Sequence, residues 1–362
     1  MDVYINGRFL TQKTTGVQRV AEEILKNLDK YIGEHNIKAR FIILTPKNAI
    51  KNLNLKNIEV QKTNFLKGHL WEQVVLPWMT KKSFLINFCN TGPLLKKNQS
   101  VFIHDAAIQS APEGFSKKFI YWYKIMYKLL GSNARNIVTV SNFSKKELVN
   151  YYPEMKNKIS VVYNGANHVL DIKHDNTILK KHDLVNKDFI LAVSSANPNK
   201  NFRVIMDAIS KMKDFQGEVI IAGGKQSNVF SDTSLEFNAK CKWVGYVSDE
   251  ELVSLYKHAK VFVFPSVYEG FGLPPLEAMS LGCPVISSNK ASMPEVLKKH
   301  VIYFDANNSD ELIEKINLIF SKQQLVEVLR REGQAYAQTF TWEKAANQLV
   351  NIVQREINIK EN

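Results

Sequence analysis

The chain has 362 residues, 45% hydrophobic and 23% charged, which suits two α/β domains and is too long for one ordinary core. No apolar run reaches the roughly 18 residues that cross a bilayer, and the opening MDVYINGRFLTQ lacks the basic-then-apolar order of a signal peptide. Cys89, Cys241 and Cys283 are too scattered for a zinc pattern, so reduced thiols in a cytoplasmic protein are expected. The net charge of +13 is lopsided. Residues 1–170 hold 25 Lys+Arg against 11 Asp+Glu, an excess of +14, while residues 171–362 hold 23 against 24. The first half is expected to meet something anionic: nucleic acid, an acidic lipid surface or a phosphorylated substrate.

In chain order, short β-rich runs alternate with amphipathic stretches. The first half offers strands at VYI, RFIILT, SFLIN, SVFIHD, NIVTVS and ISVVYNG, with helices at GVQRVAEEILKNLDKYI, KKFIYWYKIMYKLLG and SKKELVNYY. The second offers strands at DFILAVS, GEVIIAGG, CKWVGYV, KVFVFPS, PVISS and VIYFD, with helices such as NFRVIMDAISKMK and DEELVSLYKHA. Strands alternating with helices imply a parallel sheet in each half, and apolar strands without strict alternation suit sheets covered on both faces. The polar stretch at 165–188 marks a break. The expected domains are 1–168 and 169–340, with a last helix at 341–362 packing back on the first. The fold class is α/β: two Rossmann-like domains with ligands off the carboxyl ends of their strands, in a cleft between them.

Four stretches would face that cleft. In GRFLTQKTTGVQRVAEEIL, Gly16 opens a long helix, where backbone N–H groups and the dipole suit a phosphate; a plain βα turn fits equally well. In VFIHDAA, His104 and Asp105 end an apolar strand. The ring could donate a hydrogen bond to a ligand with Asp105 orienting it, or the pair could simply cap the next loop. In LAVSSANPNKNFRV, Lys200 lies where a helix begins, a point charge for phosphate or an ordinary surface lysine. In VFVFPSVYEGFGLPPLEAMS, Glu269 and Glu277 flank the N–H groups of Phe271, Gly272 and Leu273, while Pro274 and Pro275 suit a first helical turn. N–H donors suit phosphate and carboxylates suit sugar hydroxyls. Both acids belong to one short segment, which favours binding a sugar attached to phosphate over the two-sided acid pair of a glycosidase. Glu277 would also serve as a plain helix-start acid.

These stretches resemble the family-4 retaining glycosyltransferases of the GT-B fold, over nearly the whole chain and most specifically over 188–300. EGFGLPPLE matches the family's E-x7-E segment, GVQR its glycine loop and FTWEKAA its terminal crossing helix. INGRFLTQKTTGVQRVAEE is similar to the subgroup that builds bacterial capsule, O-antigen and lipopolysaccharide chains. The resemblance implies that Glu277 holds the ribose hydroxyls, Glu269 faces the transferred sugar, Lys200 neutralises the leaving diphosphate, and His104 lies against the donor sugar. It implies a donor-binding set of Gly16, Ser195, Lys200, Glu269, Gly270, Phe271, Gly272, Leu273 and Glu277, with His104, Glu269 and Lys200 catalytic. Asp105, Arg19, Asn201, Arg203 and Glu295 would be accessory. The implied donor is a UDP-, GDP- or dTDP-sugar, with no cofactor and no metal required. Two features depart from the pattern. Ser195 and Asn199 stand where many relatives carry basic residues, which leaves Arg19 or Arg203 to compensate, and NKASMPEV replaces the usual run before Glu295.

The stretch GFSKKFIYWYKIMYKLLG interleaves Lys117, Lys118, Lys124 and Lys128 with Phe119, Tyr121, Trp122, Tyr123 and Tyr127, and HLWEQVVLPWMTKK adds Trp71, Trp78, Lys81 and Lys82. Aromatics and lysines on one amphipathic helix suit a membrane interface; a buried aromatic face with a solvated lysine face is the plainer alternative. The expected acceptor is a polyprenyl-diphosphate-linked oligosaccharide, met on the anionic inner face of the cytoplasmic membrane. Rival readings are a GT-B protein that binds nucleotide sugars without transfer and a nucleotide-sugar 2-epimerase on the same fold. No helix-turn-helix, zinc or RNP pattern supports nucleic acid as a partner.

Overall fold

The computed structural model describes residues 1–194, 197–213, 215–224 and 241–357, and the chain folds as two units. One comprises Met1–Ser110, Phe115–Gly165 and the chain from Thr341 on; the other comprises Ala111–Gly114 and Ala166–Phe340.

The first unit is built on seven strands: β1 (Asp2–Asn6), β2 (Arg40–Pro46), β3 (Glu59–Thr63), β4 (Phe84–Asn87), β5 (Gln99–Phe102), β6 (Asn136–Thr139) and β7 (Ile159–Val161). Their order is β3-β2-β1-β4-β5-β6-β7, and every pair is parallel. Strands β4, β5 and β6 are buried at every residue, as a sheet covered on both faces requires. Strand β3, EVQKT, was not expected. It is a largely exposed edge strand whose charged side chains discourage further pairing. The long helix Gly16–Glu34 packs against the helix Trp342–Ile357, so the chain's last helix belongs to this unit.

A helical segment over 68–80 was also not anticipated. It runs Gly68–Leu70, widens to a π-helical turn over Trp71–Val75, and ends as Leu76–Thr80. The wide turn puts Trp71, Glu72, Val75 and Leu76 all out of solvent. Trp71 is therefore a core residue, its indole N–H donating to Thr63 Oγ1 at 2.7 Å, and not the interfacial residue its neighbourhood suggested. The buried Glu72 carboxylate accepts from Asn6 Nδ2 (2.7 Å) and Thr91 Oγ1 (2.9 Å) and pairs with Arg8 Nε (3.1 Å). A buried carboxylate needs such a ring of donors.

Among its described residues the second unit holds six strands: β8 (Phe189–Ser194), β9 (Glu218–Gly223), β10 (Cys241–Gly245), β11 (Val261–Phe264), β12 (Val285–Ser288) and β13 (Ile302–Phe304), in the order β10-β9-β8-β11-β12-β13, again all parallel. The helices Phe202–Lys211 and Ser309–Ser321 share one core with these strands, through Val204, Ile205, Ile209, Leu312 and Ile316. Both sheets reverse their direction of growth once, at β1/β4 and at β8/β11. In such sheets the carboxyl-end loops at the reversal splay apart and leave room for a ligand.

Gly165 closes the first unit where the last helix rejoins it. A Cβ there would lie 2.3 Å from the Trp342 nitrogen and 2.6 Å from the Thr341 carbonyl carbon, and backbone cannot step aside as a side-chain tip can. Gly165→Ala should lower stability by about 1–3 kcal/mol, read as a fall in the urea midpoint; an unchanged midpoint would show that the last helix is held loosely.

Candidate functional site

The β8/β11 reversal brings Lys200 and Glu269 together. Strand β11 is apolar and wholly buried, and the loop beyond it is anchored on several sides. Asn201 Nδ2 donates to Pro265 O (3.3 Å) and Ala306 O (2.7 Å). Ser288 Oγ donates to Ser266 O (2.5 Å), Val267 N–H to Asn199 O (2.8 Å), and Ser292 Oγ to Glu269 O (2.9 Å). Asn201 takes φ +50°, a left-handed conformation that Asn tolerates better than most residues. Its two amide hydrogens are spent on this frame, so the amide nitrogen holds the site's loop.

Lys200 ends the 3₁₀ turn Pro198–Lys200. Its ammonium pairs with the Glu269 carboxylate and lies 5.5 Å above the centroid of the Phe264 ring. Both partners are mostly buried. Each therefore depends on the other for charge balance, while enough edge remains open for an anion to compete for the ammonium.

Glu277 lies in the helix Leu273–Ser280, only 9% exposed. The helix starts at Gly272, whose φ of +91° is open to glycine almost alone. Pro274 and Pro275 fall in the first turn, where a missing N–H costs nothing. The N–H groups of Gly272 and Leu273 meet no acceptor among the described residues, so a positive helix end stands beside two carboxylates and a lysine. The Phe271 side chain is buried, edge-on to Phe340 with centroids 6.0 Å apart. Gly270 precedes it in the same loop. Glu295 lies in the first turn of the short helix Met293–Leu297. Arg203 is exposed, its Nε 4.0 Å from Asp207 one turn on, a surface pair of small worth. Ser195 lies outside the described residues.

Sequence reasoning passed over His168. Its Nε2 is 3.2 Å from Glu277 Oε1, and Tyr256 OH is 3.5 Å from Oε2. No local pattern could have signalled it, because the partners come from separate elements.

In the first unit, Gly16 is the first residue of its helix. A Cβ there would meet nothing within 4 Å, so the fold itself does not call for glycine. Arg19 follows one turn into the same helix. His104 follows β5 and is 6% exposed. Its Nε2 lies 2.8 Å from Phe88 O; a carbonyl only accepts, so Nε2 carries the hydrogen and Nδ1 is the acceptor. The ring thus offers a ligand an acceptor and not the donor expected of it. Asp105 Oδ1 accepts from Ala107 N–H at 2.9 Å, the loop-capping arrangement.

Helix Lys117–Asn133 resolves the two readings of its sequence residue by residue. Tyr127 is core with Met126 and Leu130, and Tyr123 packs against that core. Phe119, Tyr121, Trp122 and Ile125 are exposed, and so are Lys117, Lys118, Lys124 and Lys128. Among the described residues no helix is long and apolar enough to cross a membrane.

Two Rossmann-like units with these sheet orders define the GT-B fold. The structure of HepE from Anabaena, in complex with UDP and glucose, superposes with a TM-score of 0.73 over 98% of this chain and 100% of that one, at 17% identity. Residues 175–336 match the model of the glycosyl transferases group 1 family. The chain is 32% identical over 260 residues to the O-antigen chain mannosyltransferase B of Escherichia coli, covering 68% of each. It is 28% identical over 313 residues to the O-antigen chain mannosyltransferase RfbU of Salmonella typhimurium, covering 82% of this chain and 81% of that one. The chain belongs to the group 1 glycosyltransferases.

The environment of His104 carries a pH signature. Burial pulls its pKa from 6.5 down to about 4, the hydrogen bond to Phe88 opposing this only in part. Because the folded-state pKa is depressed, the unfolded chain binds a proton below about pH 6.5 that the folded chain refuses until about pH 4. Stability is therefore lost as pH falls through that window, by on the order of 3 kcal/mol. His104→Gln should flatten that part of the stability–pH curve in urea unfolding between pH 7 and 4.5. Parallel curves for the two proteins would show that the imidazole is not held neutral.

Proposed function

We propose that this glycosyltransferase moves a mannosyl residue from a nucleotide-diphosphate sugar onto a polyprenyl-diphosphate-linked oligosaccharide in the synthesis of a bacterial surface polysaccharide, with retention at the anomeric carbon. The observation that carries the reading is the joining of Lys200, Glu269 and the open N–H groups of Gly272 and Leu273 at the β8/β11 reversal, in a chain related to two O-antigen mannosyltransferases. A nucleotide donor is supported by the UDP and glucose held in the HepE structure.

In this reading the anomeric C–O bond to the diphosphate breaks as the acceptor hydroxyl oxygen bonds to the same carbon from the same face, and the hydroxyl proton passes to the leaving diphosphate. Negative charge grows on that diphosphate. Lys200 leaves Glu269 to meet it, the helix-start N–H groups add fixed donors, and no metal is called for; preorganised donors of this kind are a large catalytic contribution. Glu269, released, accepts from the sugar's hydroxyls, and Glu277 accepts from the ribose. Gly16 lets backbone approach phosphate without a side chain in the way, and His104 Nδ1 accepts from a donor-sugar hydroxyl.

Thermal-shift titration with UDP, GDP, dTDP and their sugars, without added metal, tests the donor site. One nucleotide should raise the melting temperature by mass action, and Glu277→Ala and Lys200→Ala should abolish the shift. Lys200→Ala should also lower kcat about 100-fold. A shift that survives both substitutions would place the nucleotide elsewhere.

We further propose that the enzyme works peripherally on the inner face of the cytoplasmic membrane. The exposed Tyr121 and Trp122 beside four exposed lysines support this, as do the exposed Leu70, Val74 and Trp78 at helical spacing of four. Flotation with vesicles containing anionic lipid should carry the protein upward at low salt. Trp122→Ala combined with Lys124→Glu and Lys128→Glu should leave it at the bottom; equal flotation of the two proteins would remove this helix from the interface.

A further inference from the structure

The orientation of Glu277 is fixed by two side chains to which nothing above gives a part in the reaction. Glu277 Oε1 faces His168 Nε2 at 3.2 Å, and Oε2 accepts from Tyr256 OH at 3.5 Å. His168 belongs to the 3₁₀ turn Asn167–Leu170, and its side chain is 7% exposed. The turn is tied down just ahead of it by Ala166 N–H donating to Phe340 O at 3.0 Å. Tyr256 is wholly buried, edge-on to Phe262, and its burial together with the facing carboxylate keeps its hydroxyl protonated, hence a donor.

An ionised carboxylate only accepts, so His168 Nε2 must carry a hydrogen toward it. The two oxygens together offer about four lone-pair directions. Among the described residues one on each oxygen is taken, by His168 and by Tyr256, which leaves one on each for a ligand. Two acceptors side by side on a carboxylate of fixed plane match two adjacent hydroxyls. Without the imidazole, the carboxylate would rotate about its terminal torsion, which is broad for Glu, and Oε1 would lose its defined direction.

We propose that His168 is a positioning residue for nucleotide recognition: it orients Glu277 so that the carboxylate meets both ribose hydroxyls of the donor. This rests on the proposed reading of the second unit as the nucleotide-sugar site. His168 acts through Glu277, so its contribution exists only when a ribose diol is present.

Calorimetric titration of the full chain with UDP, GDP and dTDP, and with the 2′,3′-dideoxy form of whichever ribonucleotide binds, tests this. His168→Ala should weaken the ribonucleotide about tenfold, the range of a charge-assisted hydrogen bond, and leave the dideoxy nucleotide unaffected. His168→Gln, whose amide reaches the place of Nε2, should restore most of the loss, and His168→Asn, one methylene shorter, should not. In a Glu277→Gln background, His168→Ala should add little, because the two act as one unit. Equal weakening of ribo- and dideoxynucleotide, or no weakening of either, would overturn the inference while leaving the nucleotide site intact. Should His168→Ala not fold, the Gln and Asn variants decide by the same ratio of ribo to dideoxy affinity. If dTDP alone binds the unaltered protein, the role of His168 falls, because a deoxyribose has no diol; if none of UDP, GDP and dTDP binds, the nucleotide-sugar reading falls with it.

Discussion

The anchoring of the chain just beyond β11 is the constraint on which the site depends. Four successive stretches of backbone there, at Pro265, Ser266, Val267 and Glu269, are each hydrogen-bonded to a residue from another loop or strand end. Three of those bonds come from side chains, of Asn201, Ser288 and Ser292. A loop is usually the least determined part of a parallel-sheet protein. Here the frame dictates it, and the left-handed Gly272 then turns the chain sharply into the Leu273–Ser280 helix. Glu269 and Glu277 are therefore presented by rigid elements, as the hydroxyl recognition proposed for them would require.

The two carboxylates are treated differently. Glu269 balances Lys200, and the pair keeps an exposed edge. In the proposed reading, a diphosphate, which brings more negative charge than one carboxylate, displaces Glu269 from the ammonium, and the displaced carboxylate becomes an acceptor as the sugar arrives. Glu277 is more deeply placed and faces a histidine and a tyrosine from its own unit. Its partners define direction more than charge. In that reading one acid is exchanged and the other stays still, and the difference follows from which neighbours each one has.

Much of the fold was legible in the sequence. All six strands of the second sheet and six of the seven in the first coincide with apolar runs, because strands buried on both faces leave a continuous hydrophobic trace. What the sequence hid has physical causes. Strand β3 is an edge strand whose exposed, charged residues read as loop. The 68–80 helix has apolar residues on two faces and a π turn in the middle, so Trp71 goes to the core while Trp78 stays exposed; a constant helical period cannot separate the two. Glu269, Glu277 and Lys200 were singled out as candidates because their spacing within short segments carries the signal. The roles of Asn201 and His168 were not, because each is set by partners distant in sequence. The direction of the His104 hydrogen bond was hidden for the same reason: it depends on the Phe88 carbonyl.

The charge asymmetry of the halves fits this division of labour. The second half is nearly neutral, with 23 basic and 24 acidic residues, although its proposed ligand is an anion. The anion-binding capacity proposed for it is local, one lysine and one helix start, and local donors recognise without attracting phosphates indiscriminately. The excess of +14 in residues 1–170 is spread across surface lysines, including those around Trp122. Diffuse positive charge is a poor way to recognise one small molecule and a good way to hold a protein near an extended anionic surface, since each lysine adds a little and none must be placed well. In the proposed reading, where a soluble donor meets a lipid-linked acceptor, the two ligands ask for these two kinds of electrostatics, and each half of the chain supplies one.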